Sequence, residues 1–178
     1  MRKAGINEWD VMLDRYVNEV NAQELTKLRE GLANTRDGGI ARRWLLLAQN
    51  ETLVRSQDYF PVLKSLAAKP WHTYIIWDFV KNNWDALVDR FTLNNRYLGW
   101  MVKSVTTTFT TEQQLKEMQD FFAANPEAGS GARARKQALE TVEKNIKWIN
   151  KYEGPLHKWF LEHTQENESR NIFLSGPE

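Results

Sequence analysis

Apolar side chains recur at steps of three and four residues along the segment 77–91, WDFVKNNWDALVDRF. This spacing is typical of the apolar face of an amphipathic helix, and it predicts one helix over the whole segment. The face carries Trp77, Val80, Trp84, Leu87 and Phe91. Two tryptophans and a phenylalanine present more apolar area than one helix can cover, so other helices must pack against this face.

The same periodicity fills most of the remaining chain. The predicted helices run over residues 7–20, 22–34, 40–49, 58–69, 97–105, 111–124 and 132–152, and from 155 onward. Asp58 is the predicted N-cap of the fourth helix, which would place Pro61 at a position where its missing N–H loses no partner. Thr111 and Gln114 have the spacing of a capping box.

Turn residues separate these helices. Asp37-Gly38-Gly39 predicts a turn, and Gly129–Gly131 predicts a flexible one. Gly154 is expected to break the long helix and Pro155 to open a last one. No strand pair and no fixed repeat period are present, so the predicted fold is all-α, an array of antiparallel helix pairs with irregular repeats. The polar segment 165–178 is predicted to be a flexible tail.

The composition fits one globular domain. The chain has 178 residues, of which 42% are hydrophobic and 26% charged, and its net charge is +1. So small an excess of cations disfavours a nucleic-acid partner. Without cysteine there is no disulfide framework and no thiol nucleophile. The N-terminus lacks the apolar core of a signal peptide, and no apolar run has the length of a membrane span. We therefore expect a soluble chain with no export signal of its own.

Catalytic motifs are missing from the sequence. It contains three histidines but no His-Glu-x-x-His, no Gly-x-Ser-x-Gly and no phosphate-binding glycine loop. Arg133, Arg135 and Lys136 predict a solvated basic face, or alternatively a surface for an acidic partner. Asn50 and Asn167 begin glycosylation sequons, and such triplets also occur by chance.

Several segments together identify a family. The segments RSQDYFPVL, WDFVKNNWDALVDRF, TLNNRYLG and TEQQLKEMQDFFAANPEAGSGARARKQALETVEKNIKWI resemble the C-terminal helical domain of the aminopeptidase N and glutamyl aminopeptidase family. The resemblance extends from about Trp9 to Phe160, and TLNNR is most similar to the glutamyl branch. It implies a HEAT-like α-helical superhelix, with residues 1–164 as the domain and 165–178 as the tail.

The resemblance also implies a function. Members are zinc-dependent peptidases, mostly type II membrane or secreted proteins, so a plasma-membrane ectodomain or an extracellular location is expected. This chain contains neither His-Glu-x-x-His nor the Gly-x-Met-Glu-Asn segment. We expect it to bind no zinc and to hydrolyse no peptide alone. Its expected partners are the catalytic domain, the peptide substrate and a second copy in a homodimer. The alternative is a stand-alone helical scaffold that binds a protein or peptide.

Four polar residues are candidates for the substrate cavity. Arg96 matches an arginine that reaches the catalytic cavity in glutamyl-type members, and a guanidinium can bind a carboxylate through two hydrogen bonds. The alternative is an arginine paired with a structural carboxylate such as Asp89 or Glu112. Arg55, Gln57 and Asp58 form the second cluster, which is interpreted as a helix cap and hydrogen-bond network rather than a substrate contact.

Overall fold

The computed structural model describes the backbone of residues 5–174 and the side chains of residues 5–164. Within this range every regular element is helical, and the predicted all-α fold is confirmed. The helices are α1 (Ile6–Asn18), α2 (Ala22–Ala33), α3 (Gly38–Leu47), α4 (Ser56–Ala67), α5 (Thr73–Asn82), α6 (Trp84–Phe91), α7 (Arg96–Thr106), α8 (Glu112–Ala124) and α9 (Ala132–Leu174).

The helices form two layers around one core. In one layer α2 packs on α4, α4 on α7 and α7 on α9. In the other, Trp9 of α1 meets Trp44 of α3, and Trp77 of α5 meets Phe121 of α8, with ring centroids 6.2 and 5.2 Å apart. Alternate helices of the chain therefore line one surface, as in stacked helix pairs. The more specific HEAT-like description stays a prediction.

The segment 77–91 is two helices rather than the predicted one. α5 ends at Asn82 and α6 begins at Trp84, with Asn83 between them. The Asn83 side-chain amide donates to the Phe79 carbonyl at 2.8 Å, a local bond that competes with the regular helix. The apolar face nevertheless continues from α5 into α6: Trp77, Val80, Trp84 and Leu87 are all buried.

Two glycine segments also differ from expectation. Asp37 is the N-cap of α3, accepting from the backbone N–H groups of Gly39 and Ile40 at 2.7 and 3.1 Å, so the helix begins inside the predicted turn. The predicted flexible turn 129–131 is a tightly packed 3₁₀ turn. A Cβ on Gly99 of α7 would lie 2.6 Å from the Gly131 Cα, so only glycine permits this approach.

α9 continues through the predicted break at Gly154 and Pro155. Residues 150–164 are exposed on every side, so water can bond the carbonyl that Pro155 leaves without an intrahelical donor. The helix includes 165–174, which overlaps the predicted tail, and residues 175–178 lie outside the described part. The division into domain and tail stays a prediction. The predicted capping box is confirmed: Gln114 accepts from the Thr111 N–H at 3.0 Å, and its own N–H donates to Thr111 Oγ1.

The burial of His72 is expected to make the stability of the protein sensitive to acid. Its Nε2–H donates to the Thr35 carbonyl at 2.9 Å, tying the start of α5 to the α2–α3 joint. Burial lowers the pKa of His72, outweighing the Thr35 and Trp71 carbonyls, which favour the protonated ring. The unfolded chain therefore takes up this proton first, and stability falls as the pH drops below about 6.5.

Chemical denaturation at stepped pH values measures this effect. We expect His72→Gln to remove up to about 1.4 kcal/mol per pH unit of the acid dependence. An equal pH dependence of wild type and His72→Gln would refute the assignment.

Candidate functional site

A groove with a volume of about 590 Å³ lies on the surface formed by α2, α4 and α7. Its lining is mainly apolar and includes several polar side chains, as in many binding sites for peptides and small molecules. The lining residues are Arg29 and Glu30 from α2; Gln57, Phe60, Pro61, Lys64, Ser65 and Ala68 from α4; and Tyr97, Trp100, Met101 and Ser104 from α7.

Aromatic rings form one wall of the groove. Phe60 is buried and stacks with Tyr97 at 6.4 Å between ring centroids, which ties α4 to α7. Tyr97 and Trp100 are 55% and 65% exposed. Large exposed rings beside a groove are typical of a surface that contacts another molecule.

Ion pairs and hydrogen bonds hold the α2–α4 side of the groove. Arg29 Nη1 lies 3.3 Å from Asp58 Oδ1, and this arginine side chain is only 12% exposed. Ser65 Oγ donates to Glu30 Oε1 at 2.6 Å. Lys64 forms no ion pair with any residue whose side chain the structure describes, so its ammonium remains available to a bound anion.

Arg96 is the first residue of α7 and lies beside the groove residue Tyr97. Its guanidinium is 4.9 Å from the Tyr97 ring centroid and donates to the Tyr97 hydroxyl at 3.0 Å. The alternative ion pair with Asp89 or Glu112 is not formed, and Arg96 has no carboxylate partner among the described side chains. Arg96 is exposed, and its guanidinium lies against Tyr97 of the aromatic wall.

The residues before Arg96 fix where α7 begins. The Asn95 side chain caps the helix by accepting from the Tyr97 N–H at 2.9 Å. Thr92 has φ of 63°, which a β-branched residue rarely adopts. The Leu93 carbonyl accepts from the Ser130 N–H at 3.2 Å, so the 3₁₀ turn holds this loop from outside. The TLNNR segment is thus a constrained loop that sets the position of Arg96.

The cluster Arg55, Gln57 and Asp58 is divided between two surroundings. Gln57 is exposed and lines the groove, whereas Asp58 faces Arg29. Asp58 is not the N-cap: α4 begins at Ser56, with Arg55 as the cap and Asp58 as an acid in the first turn. Pro61 is therefore the sixth helical residue, inside α4 rather than in its first turn.

A polar network surrounds the first residue of α4. Ser56 Oγ donates to Glu51 Oε1 at 2.7 Å, and Arg90 Nη2 donates to the same oxygen at 2.8 Å. The Ser56 hydrogen bond and then the Arg90 charge hold the pKa of Glu51 below its ordinary value. Sequence reasoning missed this network, because Arg90 and Glu51 are 39 residues apart and no local pattern joins them.

The remaining candidate features are a metal site, a membrane-spanning helix and the two glycosylation sequons. Among the described residues, no group of three or more His, Cys, Asp or Glu side chains is placed to hold a metal ion. Within the same residues, no helix combines the length and apolar character of a membrane span. Asn50 is exposed and accepts from the Thr52 N–H and hydroxyl, whereas the Asn167 side chain lies outside the described part. Glycosylation of either asparagine stays a prediction.

Comparison with known proteins gives consistent matches. A family model for the ERAP1-like C-terminal domain matches residues 1–144. Aminopeptidase A of Gloydius brevicauda is 40% identical over 159 residues, which cover 89% of this chain and 17% of that protein. Glutamyl aminopeptidase of Mus musculus is 40% identical over 152 residues, or 85% of this chain and 16% of that protein.

A more distant match is aminopeptidase N of Canis lupus familiaris, 32% identical over 165 residues, or 92% of this chain and 17% of that protein. The chain therefore spans only 16–17% of the length of these curated relatives. Because the family model covers most of the chain, the resemblance expected from the sequence is confirmed, and the chain belongs to the ERAP1-like C-terminal domain family.

Proposed function

We propose that this chain is the C-terminal, non-catalytic part of a zinc-dependent aminopeptidase and forms one wall of its peptide cavity. The observation that carries the proposal is the groove across α2, α4 and α7 together with Arg96, which contacts the lining residue Tyr97 and has no carboxylate partner among the described side chains. The remainder of the relatives' length leaves room for a catalytic domain that binds the zinc. An extracellular or membrane-anchored location belongs to the same proposal.

The groove chemistry suits an acidic peptide. Tyr97 and Trp100 offer flat apolar surfaces for peptide side chains, and Lys64 and Arg96 offer cations. An arginine that is not already paired can bind a carboxylate with two charge-assisted hydrogen bonds. The cap at Asn95 and the Ser130 bond to Leu93 keep the Arg96 backbone in place, which reduces the entropy lost on binding.

A second candidate is a stand-alone scaffold that binds a peptide or protein. It is favoured by one observation: the groove is supported by the chain's own hydrophobic core, to which the lining residues Phe60 and Met101 belong. Immunoblotting the native source with an antibody to this segment separates the two candidates. A band much larger than 20.9 kDa supports the aminopeptidase, and a band near that mass supports the scaffold.

Arg96→Ala in the full-length enzyme tests the cavity role. We expect kcat/KM for substrates with an N-terminal acidic residue to fall about tenfold or more, because a charge-assisted hydrogen bond is lost, and neutral substrates to change less than about twofold. Arg133→Ala, an exposed arginine on α9, is the matched control. Unchanged turnover of both substrate classes by Arg96→Ala would show that Arg96 has no cavity role.

Dimerisation through this region is the remaining element of the proposed function. The resemblance implies it without naming a surface, and the described residues offer one strong candidate, the exposed part of α9.

A further inference from the structure

The joint between α3 and α4 carries the sequon Asn50-Glu51-Thr52, which has no part in the peptide groove. All three residues are exposed, and none of them belongs to a helix. In the core or in the middle of a helix, the asparagine would be out of reach of a modifying enzyme. An exposed joint between two helices is instead the kind of surface segment on which such enzymes act.

The Asn50 side chain forms an Asx turn with the third residue of the sequon. It accepts from the Thr52 N–H at 3.0 Å and from the Thr52 hydroxyl at 2.8 Å. Because a backbone N–H can only donate, the atom that faces it is the carboxamide oxygen Oδ1. The carboxamide nitrogen Nδ2 donates to no residue in the described part of the chain. The side chain is thus held through its oxygen, and the nitrogen stays available for reaction.

We propose that Asn50 is the acceptor of an N-linked glycan. The donor is an oligosaccharide joined to a lipid through pyrophosphate. The Nδ2 lone pair forms a bond to C1 of the first sugar, while the bond between C1 and the pyrophosphate oxygen breaks and the lipid pyrophosphate leaves with that electron pair. Nδ2 gives one of its two protons to the transferase and keeps the other. The proposal rests on the extracellular or membrane-anchored location within the proposed function, because only chains that enter the secretory pathway meet this donor.

The glycosylated product is compatible with the folded joint. Attachment through Nδ2 leaves Oδ1 unchanged, so both hydrogen bonds from Thr52 can persist. Arg90 of α6 ties the joint to the body of the protein by donating to the Gln49 carbonyl at 3.3 Å and to Glu51 Oε1 at 2.8 Å. Neither of these contacts uses the Asn50 carboxamide. A sugar on Nδ2 therefore replaces none of the hydrogen bonds that shape the joint.

A glycan at Asn50 also restricts how the chain is placed in a longer protein. N-linked glycans are bulky and hydrophilic, so they remain in water. The α3–α4 joint is then a face that the catalytic domain leaves uncovered. The groove agrees with this restriction, because its lining comes from residues 29–30, 57–68 and 97–104 and includes nothing from 31–56. The glycan therefore marks an outer face of the chain, separate from the wall of the proposed cavity.

Mass spectrometry of the protein from its native source tests the site. Trypsin cleaves after Arg43 and Arg55, and the peptide between them, WLLLAQNETLVR, contains Asn50 as its single asparagine. Enzymatic removal of an N-linked glycan in heavy-oxygen water converts the asparagine that carried it into labelled aspartate. We expect this label at position 50 in most copies of the peptide. An unlabelled peptide would overturn the inference.

Expression of the same chain behind a cleavable signal peptide in a eukaryotic cell separates the site from the location. The chain then meets the donor whatever its natural location. A glycan at Asn50 in this system but not in the native protein would contradict the extracellular location in the proposed function, and the natural modification with it. A bare Asn50 in both would refute the site itself. The cavity role of Arg96 depends on neither result.

Two substitutions at Thr52 test the chemistry of the sequon in the same system. Thr52→Ala removes the hydroxyl that the sequon requires and should lower the glycan occupancy of Asn50 about tenfold or more. Thr52→Ser keeps the hydroxyl and should retain most of the glycan. Thr52 is exposed, so both variants are expected to fold, and circular dichroism verifies that their helices are kept. Equal occupancy in the wild type and Thr52→Ala would overturn the inference.

Discussion

Trp77→Ala is expected to lower the free energy of unfolding by about 3–5 kcal/mol, which is the usual loss for removing a buried large aromatic side chain. Trp77 is fully buried. Its ring meets Phe109 at 6.0 Å and Phe121 at 5.2 Å between centroids, both edge to face. The substitution would therefore open a cavity between α5, α8 and the loop that joins α7 to α8. Urea denaturation of the wild type and the variant measures the loss.

Two control variants separate burial from side-chain identity. Trp100→Ala removes the same side chain from a position that is 65% exposed and should change the unfolding free energy by less than about 0.5 kcal/mol. Trp77→Phe should lose much less than Trp77→Ala, because the indole N–H of Trp77 is buried without a hydrogen-bond acceptor. Similar losses for Trp77→Ala and Trp100→Ala would contradict the central place of Trp77 in the core.

Hydrophobic spacing predicted the buried face of α5 and α6, because the order of apolar residues decides which of them share a helix face. Trp77, Val80, Trp84 and Leu87 are buried as expected, although the helix that carries them is interrupted. The interruption depends on the Asn83 side chain, and asparagine bonds to the backbone in some helices and to water in others. Phe109 was missed for a related reason: it lies in a loop, where no periodicity marks it, and yet it is 1% exposed.

The groove could not be predicted from the residues alone. Its lining comes from three helices that are distant in sequence, and its α2–α4 edge depends on the Arg29–Asp58 pair. Long-range pairs of this kind leave no local pattern. Family resemblance selected Arg96 and Gln57, and the structure places one beside the groove and the other in its lining. Their role in peptide binding stays a prediction. A resemblance to a known family can therefore indicate where a residue lies, even when the residues that contact it cannot be inferred from the sequence.

Arg135 shows where a local charge pattern misled. The run Arg133, Arg135, Lys136 predicted a solvated basic face, but Arg135 is only 7% exposed. Its guanidinium donates to the carbonyls of Asn125 and Glu127, the second at 3.0 Å, and stacks near Trp84 and Phe122. Burial lowers its pKa below the ordinary arginine value. A cation buried without a described carboxylate is retained here because backbone carbonyls and aromatic faces replace water.

Arg135→Met is therefore expected to lower the free energy of unfolding by about 1.5–3 kcal/mol, since the methionine fills part of the space but the Asn125 and Glu127 carbonyls lose their charged donor. These carbonyls belong to the segment between α8 and the 3₁₀ turn, so amide exchange in residues 125–131 should also become faster. The unfolding free energy of Arg135→Lys should lie between those of the wild type and Arg135→Met. An ammonium keeps the charge but cannot reach both carbonyls as a planar guanidinium does.

Arg133→Met is the matched control, because this arginine lies two residues earlier on the same helix and is exposed. Its loss should stay within about 0.5 kcal/mol and leave amide exchange at 125–131 unchanged. A loss for Arg135→Met as small as that for Arg133→Met would mean that water replaces the guanidinium at both carbonyls. Arg135 would then be dispensable for the α8–α9 joint.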